Sequence, residues 1–328
     1  MLSRRKLLVS SAGAALAAPF ISTGSLAEDE WPAKEIHTIC MFPAGSGADI
    51  YVRYFAKKLQ EAIGKTVIVE NKVGSFGNIA NEYVARSKPD GYTIYIAPTN
   101  LLAIAPSLYS KLNYDPLNDF EHITTLFKLP FILTVAAKSP HKTVGDLAKY
   151  LKEQGDKASY GSVSTVSLVS AELFKQQFGL NTVEIKYKES QAAVQEMTGT
   201  DNLSFIYIDP AGSAAPIAQG RLRPLCVTTK ERVEALPNIP GSLESGIKNS
   251  DVFSWWSVHT PKGVPKPVLA KLEKVFNEIV PQPDVKTFLG NTGSSIFPGN
   301  SKLAHDLLAQ GIKDWEGYVK LAKIEKLS

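Results

Sequence analysis

Cysteine is nearly absent: Cys40 and Cys226 are the only two in 328 residues. Each sits inside an apolar, strand-like run, the pattern of separate core thiols and not of a disulfide framework. Beyond Lys6 no basic run exceeds a pair and no basic stripe alternates with aromatics, which excludes nucleic acid as a partner. Past the amino-terminal stretch no apolar run reaches the roughly 18 residues that a membrane span needs. Neither G-x-G-x-x-G nor G-x-x-x-x-G-K-[ST] occurs, so nothing specifies a nucleotide. H-E-x-x-H and G-x-S-x-G are missing too, and His37, His122, His141, His259 and His305 are scattered along the chain. An exported hydrolase would need a nucleophile with its base, or a metal, and this sequence offers neither. No catalytic residue, cofactor or metal site is expected.

What is present begins with an address. Ser3-Arg4-Arg5-Lys6-Leu7-Leu8 is followed by small and apolar residues from Val9 to Phe20, and Ser25-Leu26-Ala27 supplies the small residues that a signal peptidase reads. Residues 1–27 are therefore expected to be a signal peptide that places the mature chain in the periplasm. The paired arginines point to twin-arginine export, with a general-route signal as the alternative. Losing Arg4, Arg5 and Lys6 brings the formal charge from +4 down to +1, so the basicity belongs mostly to the leader. A mature chain of this length exceeds one comfortable core, and two domains are the expectation.

The chain is organised around Ile36 to Asp49. Ile39, Cys40, Met41 and Phe42 read as a buried strand, Pro43 to Gly47 as a small-residue loop, and a helix starts near Ala48. Such a loop leaves amides unpaired at the positive end of a helix dipole, where an anion fits. Ile50, Phe55, Leu59 and Ile63 continue the helix to Gly64. A strand over 66–70, a second glycine-bearing loop, a helix to Arg86 and a strand over 92–97 complete a βαβ pattern that predicts a parallel sheet. Ligands gather beyond the carboxyl ends of such strands, so Thr99 and Asn100 are either polar contacts or a turn and an N-cap. From Phe131 the pattern restarts. Ser162, Ser164, Thr165, Ser167 and Ser170 form a hydroxyl-rich loop into a second helix, favoured as a ligand loop over a plain cap. Strands follow at 183–187, 203–208 and 222–228. Asp209 either orients a hydroxyl or amino group of the ligand or ends its strand. Trp255, Trp256 and Phe205 read as core before pocket floor. The expected architecture is α/β, with two lobes of mainly parallel sheet flanked by helices and a ligand cleft between them. The lobe boundaries are expected at 28–127 with 249–328 for the first, and 128–248 for the second.

These residues carry a family likeness. Trp31-Pro32, Phe42-Pro43-Ala44-Gly45, Val69-Glu70-Asn71-Lys72 with Gly74 and Gly77, and Pro89-Asp90-Gly91-Tyr92-Thr93 occur in order. Tyr160-Gly161-Ser162, Tyr187-Lys188, Gly220-Arg221-Leu222-Arg223, Leu236-Pro237-Asn238-Ile239-Pro240 and Pro261-Lys262-Gly263-Val264-Pro265 follow. Together they resemble the Bug proteins, extracytoplasmic solute receptors of tripartite tricarboxylate transporters, along essentially the whole mature chain. The resemblance implies a two-lobed periplasmic binding protein of type II-like form that closes on a small carboxylate. It implies Phe42, Ala44, Gly45 and Ser46 with Thr99 and Asn100 as contacts from the first lobe, and Ser162, Thr165 and Ser167 with Tyr187 and Asp209 from the second. It further implies a monomer that delivers its ligand to membrane permease subunits; a sensor kinase as recipient is the alternative. The first loop departs from the family's Pro-Gly-Gly, with Ala44-Gly45-Ser46 in its place.

Overall fold

A computed structural model describes residues 31–187, 189–200, 202–248 and 250–327; the expected leader over 1–27 and Lys188 lie outside them. The predicted alternation appears as β1 (Ile36–Cys40), α1 (Gly47–Ile63), β2 (Val67–Asn71), α2 (Asn78–Ala85), β3 (Thr93–Pro98) and α3 (Thr99–Leu108). β4 (Phe120–Pro130) leads through Phe131 alone into β5 (Ile132–Ala136), α4 (Val144–Gln154), β6 (Ser159–Ser162) and α5 (Thr165–Phe178). β7 (Val183–Lys186), α6 (Ser190–Gly199), β8 (Phe205–Ile208), α7 (Pro210–Ala218) and β9 (Leu222–Val227) follow. The chain closes with β10 (Phe253–Pro261), α8 (Lys266–Ile279), α9 (Pro283–Asn291), β11 (Ser295–Ile296) and α10 (Ser301–Leu321).

Local chemistry sets the ends of these elements. Ser46 caps α1 by accepting the Asp49 amide, and Gly64, at φ 66°, turns the chain out of the helix where a side chain would be strained. Thr143 and Asp146 close a reciprocal capping box on α4.

Two sheets result, ordered β11-β4-β10-β3-β1-β2 and β7-β6-β8-β5-β9. Each has the expected parallel trio, β1 between β2 and β3, and β6 between β7 and β8, at one side of the sheet. Antiparallel strands set beside these trios make both sheets mixed. β10 is inserted antiparallel between β3 and β4, and β5 antiparallel between β8 and β9. Parallel pairing of successive strands needs a long crossover. β5 and β10 instead arrive from the other sheet, where the chain passes between the two α/β lobes. A continuous buried cluster runs from Ile39, Phe55 and Tyr95 in the first lobe to Leu133, Tyr160 and Phe205 in the second.

Two of the scattered histidines meet inside this core. His122 on β4 and His259 on β10 are paired across the strands, with Nδ1 to Nδ1 at 2.9 Å. Only one of those nitrogens can carry a proton, so the pair holds as neutral rings. Burial pushes His122 down to about 4, with His305 adding to the shift, and burial drives His259 well below the ordinary histidine range. The unfolded chain takes up these protons near pH 6.5 and the folded chain does not, so stability present above that pH is lost as pH falls towards 4. For His122 alone the loss is about 3 kcal/mol. Urea midpoints measured at pH 7 and pH 4.5 should therefore separate strongly in the native chain and less in His122→Gln; equal pH dependence in both would refute this account.

Candidate functional site

β1, β3, β6, β7 and β8 each run straight into a helix at their carboxyl ends: α1, α3, α5, α6 and α7. The first turns of all five line one cavity of about 490 Å³, through Ala48, Asn100, Thr165, Ser190 and Ala211. Five positive helix ends thus converge on one space. Side-chain caps take only part of the available donors. Ser46 takes the Asp49 amide, Ser164 the Ser167 amide and Asp209 the Gly212 amide. The amides of Gly47, Ala48, Val166 and Ala211 lie in uncompleted first turns, where an acceptor is wanted. No side chain caps α3, which starts after Pro98.

The wall between these ends is apolar. Trp256 stacks on Phe42, with centroids 5.9 Å apart, and Tyr51 tilts against Trp256 at 5.6 Å. Leu129 and Phe131 complete it at the passage between the lobes. No lysine, arginine or histidine lines the cavity among the described residues, and Asp209 is the one carboxylate there. Burial raises the Tyr51 phenol, and Asp209 on the facing lobe adds to the rise.

Of the residues expected from sequence, Phe42, Asn100, Thr165 and Asp209 line this cavity. Ser254 donates to Asn100 Oδ1 at 2.9 Å, which leaves Asn100 Nδ2 as a donor. The other expected contacts are placed elsewhere. Ala44 and Gly45 face solvent outside the cavity. The Gly45 amide is taken by Asp49 Oδ2 at 2.8 Å, and Ser46 is occupied as the cap. Thr99 is fully buried beside His259, 3.3 Å from Nε2. Ser167 donates to the Tyr207 carbonyl at 2.5 Å. Ser162 donates to Glu184 at 2.5 Å, and together with Tyr187 it lines a neighbouring groove.

Tyr51 and Ser190 line the cavity without a sequence reading that marks them, and Trp256, open in sequence between core and pocket floor, lines it too. The signal for Pro210 and Gly212 is the helix α7, which Asp209 and Pro210 announce as cap and first residue.

Asp49 moulds the first loop from behind. Its fully buried carboxylate accepts from Arg53 Nε at 2.6 Å, Gly45 N at 2.8 Å and Asn71 Nδ2 at 2.7 Å. Asn71 also donates to the Phe42 carbonyl at 2.8 Å. Burial alone would raise this carboxyl, but Arg53, Gly45 and Asn71 together hold it below the usual carboxylate range. Thr99 and His259, a hydroxyl–imidazole pair behind the cavity, are both fully buried.

The pattern of the tripartite tricarboxylate transporter family receptors matches residues 51–323. The chain belongs to that family. A UPF0065 protein of Bordetella bronchiseptica is 31% identical over 296 residues, 90% of this chain and 88% of its own length. Protein BugT of Bordetella pertussis is 26% identical, over 92% of this receptor and 94% of itself. Among solved structures, R. palustris Rpa4515 with adipate is 27% identical at a TM-score of 0.78, covering 90% of this chain and 100% of that one. The periplasmic binding protein BugD is 28% identical at 0.76, with coverage of 90% and 100%. The two-lobed α/β fold is therefore that of the periplasmic binding proteins.

Proposed function

We propose that this receptor captures a small organic carboxylate in the cavity between its lobes and hands it to the permease subunits of a tripartite tricarboxylate transporter. The observation that carries this reading is the convergence of five helix starts on a cavity with no basic side chain among its described lining residues. A carboxylate satisfies such donors without a buried cation. The relative Rpa4515, solved with adipate, supports the ligand class.

The proposed contacts are Asn100 Nδ2, Thr165 and the amides of Gly47, Ala48, Val166 and Ala211, with Phe42 and Trp256 against the carbon skeleton and Asp209 beside them. Micromolar affinity requires about 8 kcal/mol. Charge-assisted hydrogen bonds contribute roughly 1.5–3 kcal/mol each, so four or five suffice after the cost of closure. The proposed lobes keep the bounds expected from sequence, near 128 and 249, with the hinge at Phe131 and in the passage from β9 to β10. The receptor works as a periplasmic monomer freed from a twin-arginine signal peptide over 1–27, and it releases its ligand unchanged.

A thermal-shift screen against adipate, succinate, citrate, benzoate and glutamate tests the reading. At a hundredfold excess over Kd a bound acid adds ~2.7 kcal/mol, which raises Tm by several degrees in a chain of this size. Flat melting curves across the panel would overturn it.

A further inference from the structure

An anion site has no evident use for a carboxylate of its own, yet Asp209 is placed in this one. Its Oδ1 is committed, accepting the Gly212 amide at 2.8 Å as the cap of α7. Among the described residues its Oδ2 accepts only the Ser190 hydroxyl, at a long 3.3 Å. A carboxylate has about four acceptor positions, so Asp209 keeps unused capacity beside the ligand space. Ser190 opens α6 and Asp209 caps α7, so two helix starts fix this oxygen in place. Directly across the cavity stand Tyr51 on α1 and Asn100 on α3, with Asn100 Nδ2 offered as a donor. The site therefore has donors on the first lobe and, on the second, donors interrupted by one fixed acceptor. With no lysine, arginine or histidine among the described lining residues to offset it, Asp209 repels any second carboxylate brought close to it.

We propose that Asp209, steered by Ser190, accepts a hydrogen bond from a donor on the bound acid, so that the preferred ligand is a carboxylate bearing a hydroxyl or ammonium group near its carboxyl end. This rests on the carboxylate-receptor reading and sharpens it. A hydroxyl gives an ordinary charge-assisted hydrogen bond, and an ammonium gives an ion pair as well. The unsubstituted diacid leaves Asp209 Oδ2 desolvated on closure with no more than its long bond from Ser190, and a polar site discriminates most strongly when such a group lacks a full partner.

Calorimetric titrations at one pH, with succinate, malate and aspartate and with adipate, 2-hydroxyadipate and 2-aminoadipate, test this on the native chain, Asp209→Asn and Ser190→Ala. Asparagine is as good a helix cap as aspartate, so Asp209→Asn keeps the Gly212 bond while removing the charge; an unchanged Tm verifies that it folds. In the native chain the substituted acids should bind at least tenfold more tightly than their parents. Asp209→Asn should erase that preference, by a larger factor for the ammonium than for the hydroxyl acids, and Ser190→Ala should reduce it. Parent acids binding as tightly as substituted ones, or Asp209→Asn tightening every acid alike, would overturn the inference and leave carboxylate capture standing. No binding of any of the six would remove both.

Discussion

Asp49→Ala is expected to lower Tm by at least ~6 °C, which corresponds to about 3 kcal/mol for a chain of this size. The side chain is fully buried and is the common acceptor for the Gly45 amide, the Asn71 amide and the Arg53 guanidinium. Removing it takes the shared acceptor from all three at once, and breaking a fully buried pair from one side costs ~3–5 kcal/mol. Arg53 is half exposed and recovers water, which sets the lower figure. Because Asn71 also ties the Phe42 carbonyl, the first turn of α1 and the Phe42 wall should shift together. Affinity for any bound acid should fall at least tenfold, even at temperatures where the chain is folded. Asp49→Asn, which keeps one acceptor, should lie between. A melting temperature within 2 °C of the native chain would show that the loop holds its shape without this carboxylate.

The alternation of strand and helix was legible because apolar runs and their stop signals are local. So was a cavity at the strand ends. The sheets' antiparallel members were not, since β5 and β10 owe their direction to passages between lobes that no window of sequence displays. α3 and α7 were hidden by proline: Pro106 and Pro216 lie inside them and Pro210 opens α7, and their small residues resemble loop. The first loop reads from sequence as an anion cradle, and the start of α1 lines the cavity through Gly47 and Ala48. What misled was the accounting of amides. Asp49 folds back on Gly45 four residues earlier, a local side-chain capture that competes with any ligand. The hydroxyls of the second loop failed for the opposite reason. Ser162 and Ser167 are claimed by Glu184 and by the Tyr207 carbonyl, partners 22 and 40 residues away. Ser164 and Thr165 line the cavity; Ser164 is engaged as the cap of α5, and Thr165 holds its first position.

That position gives the test with the largest effect on binding. Thr165→Asp places a carboxylate where a helix start already favours negative charge, so folding should be unharmed or helped by up to ~1 kcal/mol. The same carboxylate occupies the donors that a ligand needs and repels its anionic group. Affinity should fall at least a hundredfold, which is about 2.7 kcal/mol, while Tm without ligand holds or rises. Thr165→Ser keeps the hydroxyl and should bind nearly as the native chain does. Opposite signs for stability and affinity are what separate a bound anion from mere packing: a side chain that only filled space would lose both or neither. If Thr165→Asp bound the screened acid with native affinity, the acid would have to sit away from α5, and the convergence of helix starts could no longer be its site.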